Sequence, residues 1–312
     1  MLAAALLALP LAVARAQEAD ELIGEDLVAD GAAEQFTVVG AGGFVYQGNA
    51  DIDGGGSLPD SLQVYRYDLG LGGRTELVDR LHWGNTFFFG ANDYDFNTDG
   101  FSATAPWNTI LNMRLGTKLT YDLTEVWGLS VGGVFMFSPE TGADWGNSII
   151  GGGVVAAEYR HSKAFFASLG VTVLSQIEDD PIVTPAVAVN WLPAEDWTVR
   201  VGSVPTSGGA AAAAEASYRI IEPIELGLAV LYQQRRFRLD GSGRAPDGVG
   251  QDNSLPVRFR VGWNINDNIS LNGLGGVVLA GNLELDNQNG RQIASEDYDP
   301  AAYVGLRLVG AF

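Results

Sequence analysis

The sequence has no cysteine, and only two of its 312 residues are histidine. Without cysteine the protein has no disulfide, no thiolate metal site and no cysteine nucleophile. Basic residues are also few: 18 Lys and Arg stand against 38 Asp and Glu, for a formal net charge of −20. Binding to nucleic acid without sequence preference requires a basic surface. We therefore expect no nucleic-acid partner.

Long hydrophobic runs are missing as well. The longest, residues 2–13, spans about 12 residues, which is too short for a transmembrane helix and typical of the core of a signal peptide. A small-x-small cleavage pattern follows it and ends at Ala16. We therefore predict a signal peptide over residues 1–16, an acidic periplasmic N-terminal tail with seven carboxylates over residues 17–35, and one further domain over residues 36–312.

From residue 36 onward the dominant period of the sequence is two. In residues 255–265, Leu, Val, Phe, Val, Trp and Ile occupy every second position, and Pro, Arg, Arg, Gly and Asn stand between them. Residues 224–234 and 302–312 repeat this alternation. Because successive strand residues point to opposite faces, alternation over about ten residues is typical of a strand with two different environments.

Segments with this alternation predict about fourteen strands between turn signals. They lie near residues 36–47, 62–74, 77–90, 108–121, 125–138, 148–160, 163–175, 182–192, 196–204, 212–222, 224–238, 254–265, 268–283 and 301–312. Their connections are alternately short and long, as in outer-membrane barrels with short periplasmic turns and long extracellular loops. The predicted fold class is all-β: a transmembrane antiparallel up-and-down β-barrel of about 14 strands, with about 12 as the fallback.

Aromatic residues support a membrane location. Those near the predicted short turns lie mostly on the apolar parity, as an interfacial aromatic girdle would. They are Tyr121, Trp127, Tyr159, Trp191, Trp197, Tyr218, Trp263 and Phe312. A soluble core would not gather aromatic residues at strand ends. We therefore expect the cell outer membrane as the location, outer-membrane lipid and lipopolysaccharide as the surroundings, and both termini on the periplasmic side.

The last ten residues, YVGLRLVGAF, alternate apolar positions and end on an aromatic residue, Phe312. They resemble the recognition signal that the barrel-assembly machinery reads in bacterial outer-membrane proteins. The resemblance implies that this machinery assembles the chain through Phe312.

A broader resemblance covers residues 61–312, most of the mature chain. It rests on residues 185–193 (PAVAVNWLP) running into residues 197–205 (WTVRVGSVP), and on the strand and turn of residues 258–268. There the chain is similar to an uncharacterised, porin-like family of Gram-negative outer-membrane β-barrels defined as a domain of unknown function. Because these motifs are architectural, the resemblance implies fold and location and transfers no functional residue.

If the apolar parity faces lipid, the other parity lines the lumen, and charge accumulates on it. An arginine facing lipid near the bilayer midplane would cost about 2–4 kcal/mol, so the charged side chains must point inward. The predicted lumen-lining residues are Arg66, Asp68, Arg114, Lys118, Glu158, Arg200, Glu215, Arg219, Glu225, Arg235, Arg258, Arg260 and Arg307. With Arg160, this parity carries ten bases and four acids, whereas most other acids lie in the tail and the long loops.

Two functions fit this charge pattern. A wide, water-filled lumen with excess arginine favours anions, which predicts a porin-like passive channel for small hydrophilic solutes, either monomeric or homo-oligomeric. A narrow lumen would pair Arg with Glu and Asp, which predicts a closed structural or interaction barrel whose acidic loops or tail bind a partner or a surface layer. A barrel of about 14 strands is intermediate between filled barrels of about 8 strands and open porins of about 16–18 strands. The strand count therefore does not distinguish the open channel from the closed barrel.

One acidic segment carries part of a calcium-binding pattern. Asp95, Asn97 and Asp99 place oxygen ligands at positions 1, 3 and 5 of a loop, and Gly100 permits the turn at position 6. Position 12 holds Pro106 in place of the required acid, so the alternative is a solvated acidic loop. Apart from this Ca²⁺ in an extracellular loop, no cofactor is expected.

The two histidines do not predict an enzyme. A Ser–His hydrolase needs a histidine beside a nucleophile and a third group that orients it. His161 adjoins Ser162 in a predicted turn, where adjacent side chains point apart. His82 lies on the inward parity, where a lumen hydrogen bond is the simpler role.

Overall fold

A computed structural model describes residues 36–53, 60–97, 105–206 and 209–312. The predicted signal peptide over residues 1–16 and the acidic tail over residues 17–35 lie outside the described residues. Among the described residues, no helix is long and apolar enough to cross a membrane.

The described chain is built from fifteen strands and one short 3-10 helix. The strands are β1 (Phe36–Asp53), β2 (Ser61–Val78), β3 (Leu81–Asn97), β4 (Thr109–Asp122), β5 (Trp127–Phe137), β6 (Ile149–Ser162), β7 (Phe165–Gln176), β8 (Asp179–Ala194), β9 (Trp197–Thr206), β10 (Gly209–Ile221), β11 (Ile224–Arg238), β12 (Val249–Asn266), β13 (Ile269–Asp286), β14 (Gln292–Tyr298) and β15 (Ala301–Ala311). The 3-10 helix, Trp145–Ser148, lies between β5 and β6.

The strands close into a single antiparallel barrel. From β1 to β13 each strand pairs with its sequence neighbours, and β15 pairs with both β13 and β1 to complete the circle. The short strand β14 continues the line of β15, because Tyr298 lies opposite Gly281 and Ala301 lies opposite Val278. Pro300 separates the two strands and has no backbone N–H to give to a ladder. The barrel thus has fourteen strand positions, and the predicted fold class is confirmed.

The connections differ between the two ends of the barrel. One end, called here the short-turn end, carries residues 79–80, 123–126, 163–164, 195–196, 222–223 and 267–268. The opposite end, called here the long-loop end, carries the described connecting residues 60, 105–108, 138–148, 177–178, 239–248 and 287–291. The predicted strands leave residues 176–181 and 205–211 as connections, but most of the described residues in these two segments belong to strands, so these strand ends are predicted wrongly.

Several strands also extend further toward the long-loop end than the alternation predicts. Strand β3 continues to Asn97 and β12 begins at Val249, whereas the sequence predicts an end at residue 90 and a start at residue 254. Outward positions in these extensions are polar, for example Asp93 and Asp95, so the apolar alternation stops before the strand does. The alternation of apolar residues marks only the part of a strand that faces an apolar environment, and the backbone pairing of the strand continues past that part.

Large apolar side chains cover the outward face of the barrel. Leu69, Val155, Leu169 and Phe259 are among those with about half or more of their surface exposed. Trp127, Trp191, Trp197 and Trp263 are exposed on this face near the short-turn end, where the sequence predicts an aromatic girdle. An apolar exterior of this extent is expected of a barrel surrounded by lipid rather than water.

Candidate functional site: a charged lumen closed at one end

All thirteen residues predicted to line the lumen lie on the inward parity of their strands. Directly opposed residues of an antiparallel pair share a face, and the inward ladder runs, for example, from Asn190 to Arg200 and on to Glu215. The charged side chains do not stand apart in an open channel. They form clusters along the wall, described below.

One wall cluster centres on Glu215. Its carboxylate accepts hydrogen bonds from Arg258 at 3.1 Å and from Arg260 at 2.7 Å. Arg260 also donates to Glu225 at 2.7 Å and is 1% exposed. Gly227 leaves room for this cluster, since a Cβ atom there would lie 3.0 Å from a carboxylate oxygen of Glu215. The residue types of β10, β11 and β12 therefore compensate one another's charge across adjacent strands.

A second cluster lies nearer the short-turn end. Lys118 contacts the fully buried Glu158 at 2.9 Å, and Arg160 pairs with both Glu158 and Asp122. His82 completes the cluster through a 2.9 Å contact between its Nε2 atom and Asp122. The predicted lumen hydrogen bond of His82 is therefore present. At the same short-turn end, Arg219 contacts the turn residue Asp196.

A further ion pair lies where the barrel closes, at the pairing of β15 with β1. Arg307 donates to Asp68 at 3.1 Å, reaching from β15 to β2 across β1. Gly43 lies between them, and a Cβ atom there would stand 2.8 Å from Asp68 Oδ1. Residue 43 must therefore be small for this ion pair to form.

Asp252 is a charged lumen residue that is absent from the predicted set. The predicted strands leave residues 239–253 as a connection, but Asp252 lies in β12 and is 1% exposed. Its carboxylate accepts hydrogen bonds from the hydroxyl groups of Tyr94 at 2.8 Å and Tyr298 at 3.1 Å. Arg66 and Arg235 lie 3.7 and 3.6 Å from it. The available signal was the parity of Arg258 and Arg260, which extends back through Ser254 to Asp252.

Above Asp252, apolar side chains fill the lumen at the long-loop end. We call these residues the apolar cap. They are Ala50, Ile52, Leu62, Val64, Tyr94, Phe96, Trp107, Ile110, Phe237, Leu239, Ala245, Val278, Leu283, Leu285, Ala294, Tyr298, Ala301 and Tyr303. The ring centroid of Phe237 in β11 lies 6.2 Å from that of Tyr94 in β3, six strand positions away around the barrel. The cap therefore closes the described barrel from one wall to the other.

A chain segment also crosses this end. Residues 138–148, called here the strap, leave β5 and reach β11, where Pro139 pairs with Arg238. The N–H of Glu140 donates to the carbonyl of Arg238 at 2.7 Å, and on the other side the N–H of Leu111 donates to the carbonyl of Pro139 at 2.9 Å. Because β5 and β11 are six strand positions apart, the strap spans the barrel mouth.

Glu140 anchors the strap through its buried side chain. One carboxylate oxygen accepts the backbone N–H of Asn108 at 2.8 Å, and the other accepts the backbone N–H of Asp240 at 3.0 Å. Burial raises the pKa of the Glu140 carboxyl above its usual 4.5, and the charge of Asp240 acts in the same direction, against the two backbone donors. A single carboxyl therefore joins three separate loops of the mouth.

Between the wall clusters and the apolar cap lies a cavity of about 160 Å³, called here the mid-lumen cavity. Its charged lining residues are Arg66, Asp68, Arg114, Arg235, Arg258 and Arg307. Apolar side chains, including those of Leu231 and Val278, form other parts of the lining. The guanidinium carbon of Arg114 stands 5.4 Å from the ring centroid of Phe88, which also lines the cavity.

The predicted calcium residues are not brought together. Asp95 and Asn97 lie side by side on the exposed, outward parity of β3, where extended backbone does not converge two side chains on one point. Asp99 lies outside the described residues. Within the described ranges no group of three or more His, Cys, Asp or Glu is arranged to hold a metal ion. Calcium binding stays a prediction.

A closed, fourteen-position antiparallel barrel with an apolar exterior and a charged interior has the architecture of outer-membrane β-barrels. The chain belongs to the family described as Domain of unknown function (DUF6268), whose model matches residues 86–309, more than two thirds of the sequence. This confirms the family resemblance seen in the sequence. No curated protein matches the chain.

Two solved structures share the barrel architecture. One is the TodX deltaS2S3 mutant, a monoaromatic hydrocarbon channel, with a TM-score of 0.53, 11% identity and coverage of 96% of this chain and 98% of that one. Another is the P. putida toluene transporter TodX, with a TM-score of 0.50, 9% identity and coverage of 90% and 91%. At such low identity the likeness establishes the fold alone.

Proposed function

We propose that this protein is an outer-membrane channel for small hydrophilic anions that is closed by its apolar cap and strap in the described state. The observation that carries this proposal is the mid-lumen cavity, where five arginines and one aspartate converge inside the barrel. In this proposal the short-turn end faces the periplasm, and lipid, lipopolysaccharide and, through the exposed Phe312, the barrel-assembly machinery are the partners. The proposed role is not enzymatic.

Anion preference follows from the charge of the lumen. Rings of arginine or lysine favour anions in pores, because the fixed positive potential lowers the energy of a passing negative charge. Low-dielectric walls focus that potential along the channel axis. The mid-lumen cavity supplies such a potential at the middle of the barrel.

A permanently open porin is not the form we propose. The apolar cap and the strap cross the long-loop end, so that a solute can pass only when both are displaced. Glu140, which joins three loops of the mouth, is the contact whose loss we expect to free the strap. The channel is therefore proposed to be gated at this end.

Conductance in planar bilayers across a salt gradient tests the anion preference. We expect wild-type openings to be rare and their reversal potential to indicate anion selectivity. The double variant Arg258→Ser and Arg307→Ser should shift the reversal potential toward zero, because two positive charges leave the path. Arg244→Ser is the matched control, since Arg244 is exposed in the loop of residues 239–248. Cation selectivity of the wild type would overturn the proposal.

A closed structural or interaction barrel is the second candidate, and the paired wall clusters and the filled mouth favour it. Replacing residues 140–147 by two glycines distinguishes the two candidates. A gated channel should conduct steadily once the strap is shortened, whereas a structural barrel should stay silent. Silence of this variant at every voltage, in a barrel shown to be folded by circular dichroism, would favour the structural role.

The raised pKa of Glu140 predicts a pH-dependent gate. An acid whose pKa is raised in the closed state binds its proton more tightly there, so the closed strap is most stable below about pH 4.5 and loses that stability as the pH rises through the raised value. We expect openings to be more frequent at neutral pH than near pH 4. Glu140→Gln should flatten this dependence, and an unchanged pH profile in that variant would contradict the assignment.

A further inference from the structure

We propose that a groove on the outer wall of the barrel binds one phospholipid, with a hydrocarbon chain in the groove and an ester carbonyl that accepts a hydrogen bond from Asn85. This groove, called here the outer groove, extends from Val38 in β1 to Gly151 in β6 and has a volume of about 830 Å³. That volume lies within the range of about 300–1,000 Å³ that small-molecule sites occupy. The site does not depend on the proposed channel, because it lies on the lipid-facing side of the wall.

Three neighbouring rows of outward residues build the outer groove. Directly opposed residues of antiparallel strands lie side by side on one face, so each row runs across the strands. The row nearer the long-loop end is bulky and consists of Leu71, Phe87, Leu115 and Phe135. The row nearer the short-turn end is bulky as well and consists of Trp83, Leu119, Val131 and Val155. The row between them, which forms the floor, is small or polar and consists of Gly73, Asn85, Thr117, Gly133 and Gly153.

The outer groove is a depression in the wall and not an opening through it. Backbone pairing continues without a register shift from Gly73 through Asn85 and Thr117 to Gly133. Most of the lining residues belong to the outward parity. Several others, such as Gly72 and Gly116, are glycines of the inward parity, which have only backbone atoms to contribute. A ligand in the groove therefore reaches it from the surrounding lipid.

The course of the groove favours a flexible chain over a second barrel. From β2 to β6 the groove spans four of the fourteen strand intervals, which is more than a quarter of the circumference. Its length over these strands is about 19 Å at ~4.8 Å per strand. Two rigid convex barrels touch along a narrow strip, so a second copy cannot follow a groove that curves around the first. A hydrocarbon chain can bend with the wall and contact both bulky rows.

Asn85 supplies the polar contact that distinguishes a bound lipid from its neighbours. Its side chain lies on the floor of the groove, and among the described residues none forms a hydrogen bond with its amide. The next floor residue, Thr117, accepts a hydrogen bond from the indole N–H of Trp83 at 2.9 Å. Lipid tails differ little in their packing against apolar walls, whereas a polar group without a partner is costly in hydrocarbon. A ligand that brings an acceptor oxygen to Asn85 removes this cost.

The depth of Asn85 in the membrane selects an ester carbonyl as that acceptor. Trp83, two residues nearer the short-turn end, is 40% exposed on the outer face, and amphipathic rings lie at the level of the lipid headgroups. Two strand residues span about 7 Å at ~3.3 Å per residue, so Asn85 lies just inside that level. The glycerol ester carbonyls of a phospholipid lie at this depth. A pure hydrocarbon would contact the walls but leave the Asn85 amide without a partner.

Native mass spectrometry of the full barrel in detergent, titrated with dipalmitoyl phosphatidylethanolamine, tests the site. We expect one saturable site per barrel. Gly133→Leu should weaken binding by about tenfold or more, because a Cβ atom at residue 133 has no neighbour nearer than 3.9 Å and the larger side chain takes the space of the lipid chain. Uptake of phospholipid without saturation would overturn the proposal.

Gly275→Leu is the matched control for Gly133→Leu. Residue 275 also points outward, opposite Phe259 and Val304, and a Cβ atom there has its nearest neighbour at the same 3.9 Å. It lies in β13, away from the outer groove, so this variant should bind the phospholipid as the wild type does. Equal loss of affinity in both variants would contradict the site.

An ether-linked phospholipid of the same chain length and headgroup tests the hydrogen bond of Asn85, because it lacks both ester carbonyls. The wild type should bind the ester lipid about fivefold more tightly, which is the effect of roughly one neutral hydrogen bond. Asn85→Leu should bind the two lipids equally. This comparison decides the matter even if Gly133→Leu does not fold. A wild type without preference, or a preference that survives in Asn85→Leu, would overturn the proposal.

The same spectra distinguish a lipid from a second copy of the barrel. We expect a monomer with one bound phospholipid for the wild type and a monomer without it for Gly133→Leu. A wild-type dimer that becomes a monomer in Gly133→Leu would assign the outer groove to a second copy and remove the lipid site.

Discussion

Replacing Trp107 by Ala is expected to open the barrel. Trp107 is 1% exposed, and its ring lies 5.1 Å from Phe237 and 5.5 Å from Phe96 between ring centroids, at the centre of the apolar cap. Removing a buried tryptophan side chain costs about 3–5 kcal/mol through lost burial and the cavity left behind. If opening exposes this side chain to water, the open fraction rises by about a hundredfold to a few thousandfold, at ~1.4 kcal/mol per decade.

Conductance per reconstituted barrel measures this effect, and Trp145→Ala is the matched control. Trp145 lies in the same mouth, in the 3-10 helix of the strap, but nearly half of its surface is exposed. Circular dichroism must give the same strand content for both variants and the wild type. If Trp107→Ala conducts no more than Trp145→Ala, the apolar cap does not hold the barrel closed.

Replacing Glu215 by Ala is expected to cause the largest loss of stability among the lumen residues. The side chain is 3% exposed and pairs with Arg258 and Arg260. Its removal takes this carboxylate away from two buried guanidinium groups, and breaking a buried ion pair in this way costs about 3–5 kcal/mol. The free energy of unfolding in urea, measured in lipid vesicles, should fall by that amount.

Asp196→Ala provides the comparison for an exposed pair. Asp196 contacts Arg219 at 3.2 Å, but about half of the Asp196 side chain faces solvent. Exposed pairs contribute about 0–1 kcal/mol, so this variant should unfold almost as the wild type does. Glu215→Gln should recover part of the loss, since an amide oxygen still accepts a hydrogen bond. A cost below about 1 kcal/mol for Glu215→Ala would mean that the lumen is well hydrated at this cluster.

The barrel class, the number of strand positions and the face on which each charged residue lies could be predicted from the sequence. Strand β12 illustrates why: Val257, Phe259 and Val261 alternate with Arg258 and Arg260, and the register of a strand with one apolar face is strongly specified. Such information is local, since it needs only neighbouring residues. It is lost where the outward face becomes polar, as at Asp93 and Asp95 in β3 and at Gln251 and Asn253 in β12. The sequence therefore predicts loops for these two extensions.

The sequence could not reveal Asp252 as the centre of the lumen. The parity of Ser254 and Arg258 predicts that Asp252 points inward, but it does not predict which residues contact the Asp252 carboxylate. Tyr94 is 158 residues away along the chain, and Arg66 lies on a strand four positions around the barrel. These contacts depend on where the opposite wall stands after closure, and no local pattern encodes that distance.

The amino-acid sequence is enough to predict a barrel of about fourteen strands with apolar residues outside and charged residues inside. Period and parity are properties of single strands and need no knowledge of the rest of the molecule. The closure of the lumen at the long-loop end and the small, arginine-lined cavity below it follow from contacts between distant strands. The apolar cap, the strap and the Asp252 contacts each connect strands that lie several positions apart around the barrel. Whether such strands come into contact depends on the diameter and stagger of the barrel, which all the strands determine together.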